Sequence, residues 1–131
     1  MGQELINRQA SGQGVLWSAK ALFDHPEAVQ AVHEDYIRAG ADVITSNSYA
    51  CIRNNFEPEG LLGRLGEMNR LAATLAQRAR DVVGKPVLIA GSMGPQNGSY
   101  RPDLVGSYAE TEALYREQAE FLAPHVDLFI C

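Results

Sequence analysis

The sequence predicts an α/β fold: the amino-terminal half of a (β/α)8 TIM barrel, with parallel strands alternating with helices. Three observations lead there. Residues 41–47 (ADVITSN), 86–92 (PVLIAGS) and 126–131 (VDLFIC) are near-continuous apolar or β-branched runs, the pattern of strands buried on both faces of a parallel sheet. Each run comes after a stretch of helical periodicity, and no hairpin signal joins any two of them. The chain also opens on a loop-like segment and stops on an apolar strand with no covering helix. A bare parallel strand is a poor domain boundary, and a complete barrel takes about 250 residues. Residues 1–131 are therefore expected to form one partial barrel domain, truncated at both ends. A doubly wound sheet and a small complete three-stranded sheet are the competing architectures.

In chain order, a short helical piece is expected first, around residues 18–23. The first long helix starts near Pro26, which suits a first helical turn, with Asp24 as the cap. Val29, Val32, Tyr36 and Ala39 form its apolar stripe, and Gly40 ends it. The second helix carries Leu61, Leu65, Met68, Ala72, Leu75, Ala79 and Val82 at spacings of three and four, with Arg64, Glu67, Arg70, Arg78, Arg80 and Asp81 opposite. Gly84 ends it and Pro86 opens the next strand. The third helix spans residues 107–122, with Tyr108, Tyr115, Gln118 and Leu122 on one stripe, and Pro124 breaks the helical pattern.

Composition removes several classes of function. Hydrophobic residues are 46% and charged residues 21%, near the soluble globular average. Eleven basic residues, scattered among sixteen acidic ones, give a net charge of −5 and no footprint for nucleic acid. No apolar run reaches the ~20 residues that span a bilayer, and the first residues lack a signal-peptide core. Cys51 and Cys131 make no disulfide framework. The expectation is a reduced, cytoplasmic chain with no membrane or nucleic-acid partner.

The richest polar signals lie at the carboxyl ends of the strands, where α/β enzymes place their chemistry. One strand ends in TSNSYA at 45–50 and the next in GSMGPQNGSYRPD at 91–103. Together with MGQEL at 1–5, LWSAKAL at 16–22 and HEDYIRAGADVITSNSY at 33–49, these segments resemble the homocysteine S-methyltransferase family over the whole chain. RAGADVIT with its polar turn, and GSMGP at 91–95, are the most specific parts. That family includes betaine-, S-methylmethionine- and methylfolate-dependent enzymes.

The resemblance implies methyl transfer from a sulfonium, betaine-type or folate donor to the thiol of homocysteine, or to a selenol. Family members open with a strand leading into a DGGMG-type turn, of which Met1–Gly2 would be the last two residues. Their fourth strand runs on from a segment like DLFIC into a Glu-Thr pair, whose glutamate holds the amino acid substrate. Their zinc is held by three cysteines, all placed beyond residue 131. The resemblance thus implies zinc in the parent family, no metal ligand set in this chain, and no activity from this chain alone. Two rivals stand beside it. One is a lyase or hydrolase on the same scaffold; the other is a non-catalytic half-barrel that pairs with a partner.

The candidate substrate-binding residues are Gly2, Trp17, Thr45, Asn47, Tyr49, Gly91 and Ser92. They converge at one rim only if all strands run the same way and strand order matches sequence order; the third strand then brings Cys131 there too. Trp17 and Tyr49 are placed at the pocket edge, where aromatic faces attract cationic methyl groups. The bland roles are turn closure and strand-end hydrogen bonding for the polar residues, and core packing for Trp17. Cys51 and Cys131 read as ordinary packing, and His25, His33 and His125 as surface or cap residues. Gly91, Gly94 and Gly98 match no phosphate-binding fingerprint, and Asn97-Gly98-Ser99 reads as a turn. Open apolar sheet edges are expected to promote self-association.

Overall fold

The computed structural model describes residues 1–11, 14 and 16–131. The chain opens with α1 (Gly2–Asn7), where the sequence suggested a loop. Six residues are too few for periodicity to show, and buried Leu5 ties the helix to the core. A 3-10 turn at Trp17–Ala19 leads into α2 (Lys20–Asp24) and then α3 (Pro26–Arg38). Pro26 takes the first turn of α3 as expected. The cap position is His25, without a side-chain hydrogen bond, because Asp24 closes α2 instead. Gly40, at φ 104°, turns the chain out of α3: its N–H reaches the Ile37 carbonyl at 3.1 Å, and that of Ala41 reaches Tyr36 at 3.0 Å. This paired closure is the Schellman motif.

After β1 (Val43–Thr45) come a single turn, α4 (Arg53–Phe56), and the longest helix, α5 (Leu65–Val83). Then come β2 (Leu88–Ser92), α6 (Tyr108–Leu122) and β3 (Leu128–Ile130). Gly84 closes α5 at φ 71°, a conformation that suits glycine. A full capping box opens α6: the Glu110 N–H donates to Ser107 Oγ, and the Ser107 N–H to Glu110 Oε2 at 2.9 Å. Buried Ala72, Ala73, Ala76 and Ala79 let α5 lie close against its neighbours.

The stripe assignments need correcting. Tyr36 is half-exposed and Ala39, at the C-cap, is exposed; the inner face of α3 carries Val29, Val32, His33 and Ile37 instead. Val82 is exposed in the last turn of α5, whose inner face widens to include Asn69. Tyr108 is exposed because residues 107–110, which open α6, all face solvent.

The sheet order is β1-β2-β3, with every pair parallel. Thr45 lies opposite Ala90, which in turn lies opposite Leu128. The strands are shorter than the apolar runs, because residue 41 closes α3 and residues 46–47 already turn into the rim. Alternation along the strands sorts the side chains. Ile44 and Ile89 pack with Ile37, Ala76 and Ala79 against the helices. Val43, Leu88 and Ile130 lie on the other face, exposed by 43%, 50% and 47%. That apolar face corresponds to the interior of a barrel.

His33 overturns the surface expectation: it is only 2% exposed, and its Nε2 has no hydrogen-bond partner among the described residues. Burial, helped by the nearby α-ammonium of Met1, lowers its pKa from 6.5 to about 4. The unfolded chain therefore binds more protons than the folded one between those values. The stability that neutral His33 confers is complete above pH 6.5 and is lost as the pH falls toward about 4. His33→Leu is expected to flatten that acid limb in a plot of Tm against pH. An unchanged limb would assign the acid sensitivity elsewhere.

Candidate functional site

Parallel strands bring three carboxyl ends to one side of the sheet: Thr45 with the turn after it, Ser92 with its turn, and Cys131 after β3. Main-chain bonds hold them in register there, from the Ser46 N–H to the Ala90 carbonyl at 2.8 Å and from Met93 to Ile130 at 2.8 Å. Two hydroxyls then stitch the ends of β1 and β2. Ser46 Oγ and Ser48 Oγ share a hydrogen bond at 2.8 Å. Ser48 Oγ donates to the Ser92 carbonyl at 2.8 Å, and the Ser92 N–H donates to Ser46 Oγ at 3.2 Å.

A buried amide cluster backs this seam. Gln118, on α6, donates from Nε2 to the Ser48 carbonyl at 3.0 Å. Its Oε1 accepts from Gln96 Nε2 at 2.8 Å. Asn69, on α5, donates from Nδ2 to the Cys51 carbonyl at 2.9 Å and to the Leu65 carbonyl at 3.0 Å. All three amides are buried, so each bond made here avoids a desolvation cost that water would otherwise relieve. Gly94 permits the closest approach: a Cβ there would overlap the Tyr49 carbonyl oxygen.

The candidate residues divide into two groups. Thr45 and Ser92 stand half-buried at the strand ends, on the strand positions that face the barrel interior. Trp17 and Tyr49 are partly exposed, and the Tyr49 hydroxyl is bonded to Ser99 Oγ at 2.7 Å. Gly2, Asn47 and Gly91 hold the frame. Gly2 makes room for the Trp17 ring, which any Cβ would strike. Asn47 is buried and donates from Nδ2 to the Ser18 carbonyl at 2.8 Å, tying the turn that carries Trp17 to the end of β1. Gly91 lies under Phe129, whose ring a Cβ would meet at 2.9 Å, on the face away from the barrel interior. Sequence reasoning missed Ser46, Ser48, Asn69 and Gln96 as rim residues. A polar side chain on an apolar helical stripe was the available signal for Asn69, as it was for Gln118.

The residues present do not fit a zinc site. Among the described residues, no three His, Cys, Asp or Glu side chains gather to hold a metal. Cys51 is fully buried, its thiol pushed well above the usual range by burial, and it donates to the Asn47 carbonyl at 3.7 Å. Cys131 is exposed at the end of β3. A 230 Å³ groove also lies beside the sheet, lined by Met1, Val32, His33, Tyr36 and Val43–Thr45. It runs along the outer edge of β1 rather than the rim. No helix among the described residues is long and apolar enough to cross a membrane.

This arrangement matches known proteins. The family model described as Homocysteine S-methyltransferase matches residues 1–131. Homocysteine S-methyltransferase of Escherichia coli (strain K12) is 33% identical across all of this chain and 47% of its own length. Selenocysteine methyltransferase of Astragalus bisulcatus is 32% identical over 79% of this chain and 36% of its own length. The crystal structure of the homocysteine methyltransferase MmuM from Escherichia coli, metallated form, superposes with a TM-score of 0.88 at 34% identity. The match covers 98% of this chain and 50% of that one. The fold thus matches part of a TIM-barrel methyltransferase. The chain belongs to the homocysteine S-methyltransferase family and spans a third to a half of the length of these curated relatives.

Gln118→Leu strands the Ser48 carbonyl and Gln96 in an apolar setting. It is expected to lower unfolding free energy by about 1–3 kcal/mol in urea titration. Gly94→Ala should cost a similar amount through overpacking, about 1–3 kcal/mol. Wild-type midpoints in both variants would remove the rim network from the stability account.

Proposed function

We propose that this chain forms the amino-terminal wall of an active site that moves a methyl group to the thiol of homocysteine. The donor is a sulfonium, betaine-type or folate compound, and the product is methionine. The match of all of residues 1–131 to the family model carries this reading. The relative named for selenocysteine supports extending the acceptor to a selenol.

A free thiol has a pKa near ~8.5 and is mostly protonated at neutral pH, while the thiolate is the nucleophile. Zinc would supply that deprotonation from the part of the complete protein that carries its ligands. The residues of this chain bind and orient. Thr45 and Ser92 offer hydroxyls at the barrel mouth, and the rings of Trp17 and Tyr49 suit a cationic methyl group. Asn47 and the Ser46–Ser48 pair keep those groups in place. The reaction belongs in the cytoplasm, where substrate thiol, Cys51 and Cys131 stay reduced.

On this reading the 131-residue chain has no methyltransferase activity alone. A chimera in which it replaces the matched half of the Escherichia coli homocysteine S-methyltransferase should form methionine from homocysteine and S-methylmethionine. Ser92→Val in that chimera should lower kcat/KM about tenfold, the loss of one hydrogen bond to substrate. A folded but inactive chimera, or turnover by the isolated chain, would contradict the assignment.

A further inference from the structure

The Asn97-Gly98 pair, in the loop between β2 and α6, stands apart from the other asparagines of the chain. An asparagine closes on itself as a succinimide when the main-chain nitrogen of the next residue reaches its Cγ. That nitrogen must be unhindered and its hydrogen weakly engaged. Five of the six asparagines fail this condition. Asn7, Asn54 and Asn55 are followed by amides bonded inside helical turns, at 3.0, 3.1 and 3.2 Å. Asn69 lies within α5 and spends its Nδ2 on the Cys51 and Leu65 carbonyls. Asn47 is buried and held by the Ser18 carbonyl at 2.8 Å. Asn97 differs at each point. It is half-buried in a turn, where the Gly98 N–H reaches the Pro95 carbonyl only at 3.4 Å. Gly98 has φ 122°, and nothing lies within 3.8 Å of where a Cβ would stand. Asn97 Nδ2 makes one long bond, 3.5 Å to the Val105 carbonyl. That carbonyl already accepts from Thr111 Oγ1 at 2.7 Å, so losing the amide strands no acceptor. A cavity of 70 Å³ opens beside the pair, lined also by Thr111 and Tyr115, with room for water.

We propose that Asn97 is a site of spontaneous deamidation in the folded chain. The Gly98 nitrogen gives up its proton and bonds to Asn97 Cγ. Nδ2 takes up a proton and leaves as ammonia, which closes a five-membered succinimide ring. Water then opens one of the two ring carbonyls, giving aspartate or isoaspartate at position 97. The net change replaces an NH2 with an OH, consumes one water and adds a negative charge. Isoaspartate also adds a methylene to the main chain between residues 97 and 98. Ser99 follows immediately, and its Oγ shares a hydrogen bond with the Tyr49 hydroxyl at 2.7 Å. Main-chain lengthening at this point moves Ser99 out of register with Tyr49. The modification therefore slackens the tie between the loop after β2 and the turn after β1.

Incubation of the 131-residue chain at mildly alkaline pH, followed by anion exchange and peptide mass spectrometry, tests this. A more acidic species should grow with time, and faster as the pH rises, because the attacking nitrogen must lose its proton. Its mass gain should map to Asn97, with the other five asparagines intact. Asn97→Gln should abolish that species, since its longer side chain closes a six-membered ring far less readily. Gly98→Ala, with a methyl group beside the attacking nitrogen, should slow it; if the positive φ keeps that variant from folding, Asn97→Gln decides. The isoaspartate form should show shifted Tyr49 ring resonances by NMR, while Asn97→Asp, with an unlengthened main chain, should not. A native chain that keeps its amide while the same chain in urea loses it would overturn the proposal, because the fold then protects the pair. So would an acidic species that persists in Asn97→Gln, or Tyr49 resonances that do not move in the isoaspartate form.

Discussion

The Gln118 side chain is the interaction on which the rim depends. It leaves α6 through an apolar stripe and reaches the Ser48 carbonyl, with Gln96 closing on its free oxygen. A neutral amide offers both a donor and an acceptor at one point, so one residue serves two loops that come from different strands. The Ser46 and Ser48 hydroxyls continue the network to the main chain of Ser92. In a buried setting each of these bonds must be present, because a half-satisfied cluster costs more than an apolar one. The network therefore fixes where the ends of β1 and β2 stand, and with them Thr45 and Ser92.

Small residues make that network reachable. Gly94 lets the loop after β2 pass against the Tyr49 carbonyl, and Gly91 lets the Phe129 ring cross β2. Alanines on α5 bring that helix close to its neighbours, so Asn69 can hold the Cys51 carbonyl from behind. Cys51 belongs to this frame as a packed thiol. Packing and polar satisfaction here set the positions of the strand ends.

The long helices and the parallel strand order were legible in the sequence, because spacings of three and four along α5 and apolar runs in the strands are strong signals. α1 and α4 were not, being too short to show a period. Tyr36 and Val82 continued an apolar spacing yet ended outside, since spacing gives a face but not its limits. The candidate site was half legible. Sequence position placed Thr45 and Ser92 at strand ends, but only the fold shows that Asn47 is occupied by the Ser18 carbonyl and that Gly91 faces a phenyl ring. His33 was misread because a lone histidine carries no sign of burial in its own sequence.

Amide hydrogen exchange, read residue by residue by NMR, tests the rim most directly. The Ser46, Ser92 and Met93 amides donate to Ala90, Ser46 and Ile130 respectively. They should exchange as slowly as the amides in the buried middle of α5, around Ala76, near the limit set by global unfolding. Exchange of Ser46 and Ser92 at the rate of the exposed loop around Ser99 would mean that the strand ends are not fastened, and that the polar seam does not organise the site.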